Sequence, residues 1–215
     1  MKKTFLFDFD GTLVDSMPTY VSSALKVLDD EGIAYGEDIV KIITPLGFKG
    51  AAEYFINTYD LPMTVDEVVE KMRDGMLYAY THEIDAKRTV IDTLYKLKER
   101  GFDLNVLTAS PHITLDACLK RLGIYDLFTN VWSCEDFGTT KADTQIYVDC
   151  AKRLGVNVSN VIFLDDNYDA DSTAKRAGAT VIGVYDEYSS DYIEDMKELC
   201  DGFIYSFEEL LNYDL

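Results

Sequence analysis

One feature constrains the chain most: the apolar run Phe5-Leu6-Phe7 is cut off by Asp8, and Asp10, Gly11 and Thr12 follow at once. Short apolar runs of this kind read as buried strands, and an acid that ends one stands at its carboxyl end. In open α/β sheets that edge is where ligands bind. Two carboxylates two residues apart at a strand mouth suit a hard cation and an electrophile. An Asp-rich turn would use the same residue types, so the remaining chain has to decide.

No strand signal interrupts Pro18 to Thr81. Tyr20, Val21, Ala24, Leu25 and Leu28 recur at helical spacing, and Glu31-Gly32 closes that helix. Short helices are predicted over Asp38–Ile43 and Lys49–Tyr59. Thr64 then caps a longer one, with Glu67 three residues on forming a capping box. A purely helical block after a single strand predicts an inserted all-α cap. From Val90 the pattern alternates. Strands are predicted over Phe102–Leu107, Asn130–Ser133, Val161–Leu164 and Thr180–Val184, with an edge strand Phe203–Tyr205 and a terminal helix Phe207–Leu211. Repeated βα units predict an α/β fold with a mostly parallel, doubly wound, Rossmann-like sheet. The expected division is a core of residues 1–15 and 82–215 and a helical cap of residues 16–81, with hinges near Asp15-Ser16 and His82 to Asp85.

A chain of 215 residues suits one domain carrying an insertion. Its formal charge of -19 excludes nucleic acid and anionic membranes as partners. It leaves room for a phosphorylated metabolite whose charge a metal and a buried cation neutralise locally. No apolar run approaches the roughly 20 residues of a membrane helix, and Asp8 and Asp10 break up an opening that otherwise resembles a signal peptide. Cys118, Cys134, Cys150 and Cys200 are widely spaced, and three of them fall on apolar helical stripes. Reduced core thiols and a cytoplasmic location are therefore expected. His82 and His112 read as structural or surface residues, and Trp132 as core.

Three strands end in polar groups: Asp8 and Asp10 on the first, Thr108-Ala109-Ser110 on the second, and Asp165-Asp166 on a later one. Lys141 is expected to open a helix after Gly138-Thr139-Thr140. In a parallel sheet these ends share one edge, so several carboxylates for Mg²⁺ can meet a hydroxyl and an ammonium for an anion.

The ordered set Asp8-Phe9-Asp10-Gly11-Thr12-Leu13-Val14-Asp15-Ser16, Thr108, Lys141 and Asp165-Asp166 resembles the haloacid dehalogenase superfamily, in the branch with a helical cap after the first strand. Phosphoglycolate phosphatases and β-phosphoglucomutases are of this branch. The resemblance implies a Mg²⁺-dependent phosphomonoester hydrolase acting on a small phosphorylated metabolite. Asp8 would be the nucleophile that forms an aspartyl phosphate, and Asp10 the general acid and base. Asp8, the Asp10 carbonyl and Asp166 would hold the metal, with Asp165 acting through water. Gly11, Thr108, Ala109 and Lys141 would hold the phosphate, Lys141 also keeping Asp8 ionised. Asp169 and Asp171 would support the ligands or serve the following helix start.

Two departures stand out. Lys141 precedes Ala142-Asp143-Thr144 rather than the proline-rich turn of many relatives, and Tyr20 stands where the mutases carry a histidine. Asp10 separates the chain from the metal-free dehalogenases, and Tyr20 favours hydrolase over mutase. Lys49, in the cap turn Gly47-Phe48-Lys49-Gly50, is a candidate substrate contact. Receiver-type signalling domains use similar acids but are shorter, without a cap or the Asp8-to-Thr12 pattern.

Overall fold

The computed structural model describes residues 3–213; the outermost residues of the expected core, 1–2 and 214–215, lie outside that range. The chain divides into two compact units, Met1–Asp15 with Asp85–Leu215, and Ser16–Ile84. The second boundary falls beyond residue 82 because the last helix of the insertion runs on to His82.

The first unit is built on six strands: β1 (Thr4–Phe7), β2 (Asp103–Thr108), β3 (Asn130–Ser133), β4 (Val161–Asp165), β5 (Thr180–Val184) and β6 (Gly202–Ile204). They form one sheet in the order β3-β2-β1-β4-β5-β6, and every pairing is parallel. β1 and β4 are buried along their whole length. That is why they read as unbroken apolar runs without alternation. From β1 the chain winds outward to β2 and β3, then returns to β4 on the other flank and winds outward again. The strand order therefore reverses between β1 and β4, and in such sheets the crevice beyond the carboxyl ends at the reversal is the binding position. Asp8 follows β1, and Asp165 ends β4 there.

Five helices accompany these strands: Val90–Glu99, His112–Arg121, Thr144–Leu154, Tyr168–Ala177 and Ile193–Leu199. Ile146, Tyr147 and Cys150 from the third, and Ala170 and Ala174 from the fourth, pack with Leu6, Leu107, Phe163 and Val181 of the sheet. Trp132, expected in the core, lies at the rim of this cluster. It meets Phe137 edge-on with ring centres 5.5 Å apart. The expected terminal helix is a 3-10 helix, Phe207–Asn212; over so few residues, apolar spacing does not separate three residues per turn from 3.6.

The second unit is all helical: Met17–Asp30, Ile39–Ile43, Gly47–Tyr59 and Val65–His82, packed around Leu28, Ile43, Phe55 and Met72. Its longest helix starts at the expected capping box. The Thr64 hydroxyl accepts the Glu67 N–H at 3.3 Å, and Glu67 accepts the Thr64 N–H at 2.8 Å.

Candidate active site

The first group of the site comes from the end of β1. The Asp8 N–H donates to the Leu164 carbonyl at 2.8 Å, continuing the ladder one residue past the strand and fixing Asp8 beside β4. The chain then folds back tightly. The N–H groups of Leu13 and Val14 both donate to the Phe9 carbonyl, at 2.9 and 3.0 Å, and the Gly11 N–H donates to Val14 at 3.0 Å. Gly11 holds φ at +74°, and a Cβ on it would stand 2.5 Å from an Asp166 carboxylate oxygen. Only glycine permits both that backbone conformation and that approach. The Thr12 hydroxyl, which received no role from the motif, donates to Asp166 Oδ1 at 2.9 Å.

The end of β4 supplies the opposing acids. Asp165 is completely buried and both of its oxygens are engaged: Oδ1 accepts the Asn167 N–H at 2.9 Å and Oδ2 accepts Lys141 at 2.7 Å. Lys141 Nζ also donates to Asp8 Oδ1 at 2.6 Å. One ammonium thus joins the ends of β1 and β4. Lys141 does not open a helix, as expected from sequence, but lies in the turn before one. Asp143 caps that helix instead, accepting the Gln145 N–H at 2.9 Å, and so displaces its start to Thr144. The turn is held by Tyr147, whose buried hydroxyl is 3.1 Å from both the Lys141 and the Ala170 carbonyls.

Asp8, Asp165 and Asp166 each present an oxygen within 4.8 Å of the others. With all three ionised, a single ammonium leaves two negative charges on largely buried groups. Burial and the neighbouring Asp165 accordingly hold the Asp8 carboxyl well above its usual range. Burial, Asp165 and Asp186 push Asp166 up to about 7. Burial opposes the charge on Lys141, but Asp165 and Asp8 outweigh it and hold the ammonium well above the usual lysine range. All-oxygen donors with two unbalanced charges fit a divalent cation such as Mg²⁺.

Among the other expected residues, Asp10 accepts the Ser110 hydroxyl at 2.5 Å. Thr108 is buried at the end of β2, and its hydroxyl accepts the Ser110 N–H at 3.0 Å. Ala109 is exposed in the bend that follows. Asp169 and Asp171 both lie in the first turn of the helix Tyr168–Ala177; Asp171 is fully buried, and burial keeps its carboxyl well above the usual range. Lys49 belongs to the helical unit, where it is exposed beside Asp66, Glu70 and Arg73. Tyr20 stacks on Phe48 with ring centres 4.9 Å apart, and its buried hydroxyl has no hydrogen-bond partner among the described residues. His112 bridges Asp116 and Asp136, with 2.9 Å on each ring nitrogen.

A parallel sheet whose central strands end in a buried carboxylate cluster bonded to a lysine defines a class of α/β protein with its charged site at the strand-order reversal. The sequence model of the haloacid dehalogenase-like hydrolase family matches residues 2–178, and the chain belongs to that family. It is 30% identical over 211 residues to the pyrophosphatase PpaX of Bacillus velezensis, covering 90% of this chain and 93% of that protein. It is 26% identical to a glyceraldehyde 3-phosphate phosphatase of Methanocaldococcus jannaschii, covering 94% of this chain and 96% of that one. In fold it is similar to a Thermotoga maritima protein proposed to be a β-phosphoglucomutase, with a TM-score of 0.85, 21% identity and coverage of 99% and 97%. The chain is thus an enzyme of this hydrolase family, and both curated relatives are named as enzymes of phosphorylated substrates. Among the described residues, no helix is long and apolar enough to cross a membrane.

Proposed function

We propose that the protein is a Mg²⁺-dependent phosphomonoester hydrolase that works through an aspartyl phosphate on Asp8. The observation that carries this reading is the meeting of Asp8, Asp165 and Asp166 at the strand-order reversal, with Lys141 bonded to the first two. Asp8 and Asp166, with the Asp10 carbonyl, would hold the metal, and Asp165, with both oxygens engaged, would act on it through water. When bound, the cation screens the repulsion between carboxylate and phosphate and stabilises the charge of the transferring group.

Asp8 Oδ attacks phosphorus and the bond from phosphorus to the leaving oxygen breaks. Asp10 gives its proton to that oxygen, then takes one from the water that attacks the phosphoryl group on Asp8. The bond to Asp8 breaks, inorganic phosphate leaves, and both acids return to their first state. The Ser110 hydroxyl orients Asp10 for both transfers. Lys141, Thr108 and the backbone at Ala109 hold phosphoryl oxygens, Gly11, whose N–H is spent on Val14, lets the backbone come close to them, and Lys141 favours the ionised form of Asp8.

The substrates in this reading are small phosphate esters and anhydrides, the chemistry named for the bacillar and archaeal relatives. Lys49 is retained as a substrate contact, to be tested by the effect of Lys49→Ala on KM. A cytoplasmic location belongs to the same proposal, in keeping with four cysteines outside any disulfide.

The test is phosphate release from pyrophosphate, glyceraldehyde 3-phosphate, phosphoglycolate and sugar phosphates, with and without Mg²⁺, by the wild type and Asp8→Asn. Mg²⁺-dependent release abolished by Asp8→Asn supports the hydrolase. Isomerisation of one sugar phosphate, with release only as a side reaction, would make the protein a mutase. The packing of Tyr20 on Phe48, where mutases present a histidine, argues against that outcome.

A further inference from the structure

We propose that Lys87 is a positioning residue for phosphoryl transfer, acting by anchoring the turn that carries Asp10 and Thr12; this rests on the phosphohydrolase reading of the site. Lys87 lies just past the return of the chain from the helical insertion, outside every motif. Its ammonium has three hydrogens and meets three acceptors: the Gly11 carbonyl at 2.5 Å, the Tyr185 carbonyl at 2.7 Å and Asp186 Oδ2 at 2.9 Å. The side chain is 20% exposed and that of Asp186 only 4%. A half-buried lysine with all its donors spent on fixed acceptors is not a solvated surface charge.

The Gly11 carbonyl is the point at which this contact acts on the site. Its peptide joins Gly11, whose Cα is pressed against Asp166, to Thr12, whose hydroxyl holds Asp166. The residue before it is Asp10. The backbone of Lys87 grips the same turn, its N–H donating to the Leu13 carbonyl at 3.0 Å. Ala86 bridges Val14, and the Asp15 N–H donates to Asp85 at 3.0 Å. The far ends of the contact, Tyr185 and Asp186, follow β5. Lys87 therefore ties the turn after β1 to the end of β5, with Asp166 between them. Without that tie the Gly11–Thr12 peptide can rotate, carrying Asp10 from its place and releasing the Thr12 bond to Asp166. Reacting groups misplaced by about 1 Å lose roughly a hundredfold in rate.

The experiment compares the wild type with Lys87→Met, which keeps the stem and removes the donors, and with Lys87→Met/Asp186→Asn, which also removes the stranded acid. Arg88→Met, at the exposed neighbouring cation, is the control. Lys87→Met should lower kcat for Mg²⁺-dependent phosphate release by about ten- to a hundredfold with KM nearly unchanged, and Arg88→Met should lower neither. The double variant should remain slow. In metal-free protein, amide hydrogen exchange at Gly11, Leu13 and Val14 should accelerate in both Lys87 variants while that of β4 does not. Unchanged kcat, recovery in the double variant, or unchanged exchange in the turn overturns the proposal; recovery would make Lys87 only a counterion for Asp186. If Lys87→Met does not fold, Lys87→Arg carries the same readouts, since it keeps the charge but spreads its donors over a planar fork; wild-type values in it also overturn the proposal. Absence of turnover in the wild type contradicts the phosphohydrolase reading instead, and the exchange measurement still decides Lys87.

Discussion

The Lys141 ammonium stands 2.6 Å from Asp8 Oδ1 and is shared with Asp165 at 2.7 Å, so a single cation closes the seam between β1 and β4. Both acids are almost fully buried, and removing one partner of such a group strands the others. Lys141→Met should lower phosphate release by about two to three orders of magnitude, as the loss of a charge-stabilising donor does elsewhere. Its metal-free form should also lose stability at pH 8 and recover much of it at pH 5, where the stranded carboxyls take protons. Kinetics and urea unfolding at the two pH values check both effects.

The carboxylate cluster fixes a pH dependence for the metal-free protein. Asp166 binds a proton more tightly folded, at about 7, than in the unfolded chain, at 3.8, and Asp8 shifts in the same direction. Between those values the native state holds more protons than the unfolded state, so stability falls as pH rises through about 7. The doubly paired His112 is shifted upward by Asp116 and Asp136, and its contribution fades in the same direction above about 6.5. Thermal unfolding should show Tm falling from pH 5 to pH 8. Mg²⁺ should restore it most at pH 8, because it binds the folded, ionised cluster. His112→Gln should leave the Mg²⁺-sensitive part of the slope intact.

Gly11 is the tightest steric point of the site. Gly11→Ala must place a methyl 2.5 Å from the Asp166 carboxylate and hold an L-residue at φ +74°. The backbone conformation alone costs roughly 1–2 kcal/mol, and the displaced Asp166 loses its Thr12 bond. The expected outcome is a folded protein with lower turnover and a higher Mg²⁺ requirement, measured by Mg²⁺ titration of phosphate release.

Much of this site was legible because its acids end apolar runs. Phe5–Phe7 and Val161–Leu164 announce two fully buried strands, and parallel topology puts Asp8 and Asp165 at one edge. Thr64 and Glu67 announced a helix start through a local pattern of side chains. Lys141 was found as a residue but given the wrong local setting, because the cap that decides the helix start is Asp143, two residues on. Lys87 left no trace. Two of its three acceptors are backbone carbonyls, which have no residue signature, and the third, Asp186, is 99 positions away. Tyr147 was hidden for a similar reason: it reads as one more residue on an apolar helix face, while its hydroxyl serves two carbonyls.

That hydroxyl supports Lys141 from behind. Tyr147→Phe leaves the Lys141 and Ala170 carbonyls without their buried donor, at a cost of about 1–3 kcal/mol. A melt should register that loss, and kcat should fall while KM holds, since the turn bearing Lys141 loses its support.

The central claim is that Asp8 becomes phosphorylated. Acid quenching of the Mg²⁺-loaded enzyme during turnover, followed by peptide mass analysis, tests it directly. The predicted result is one phosphoryl group on the peptide containing Asp8, present in the wild type, accumulating when Asp10→Asn slows its hydrolysis, and absent from Asp8→Asn. Full turnover by Asp8→Asn, or a phosphoryl group carried on another residue, would contradict it.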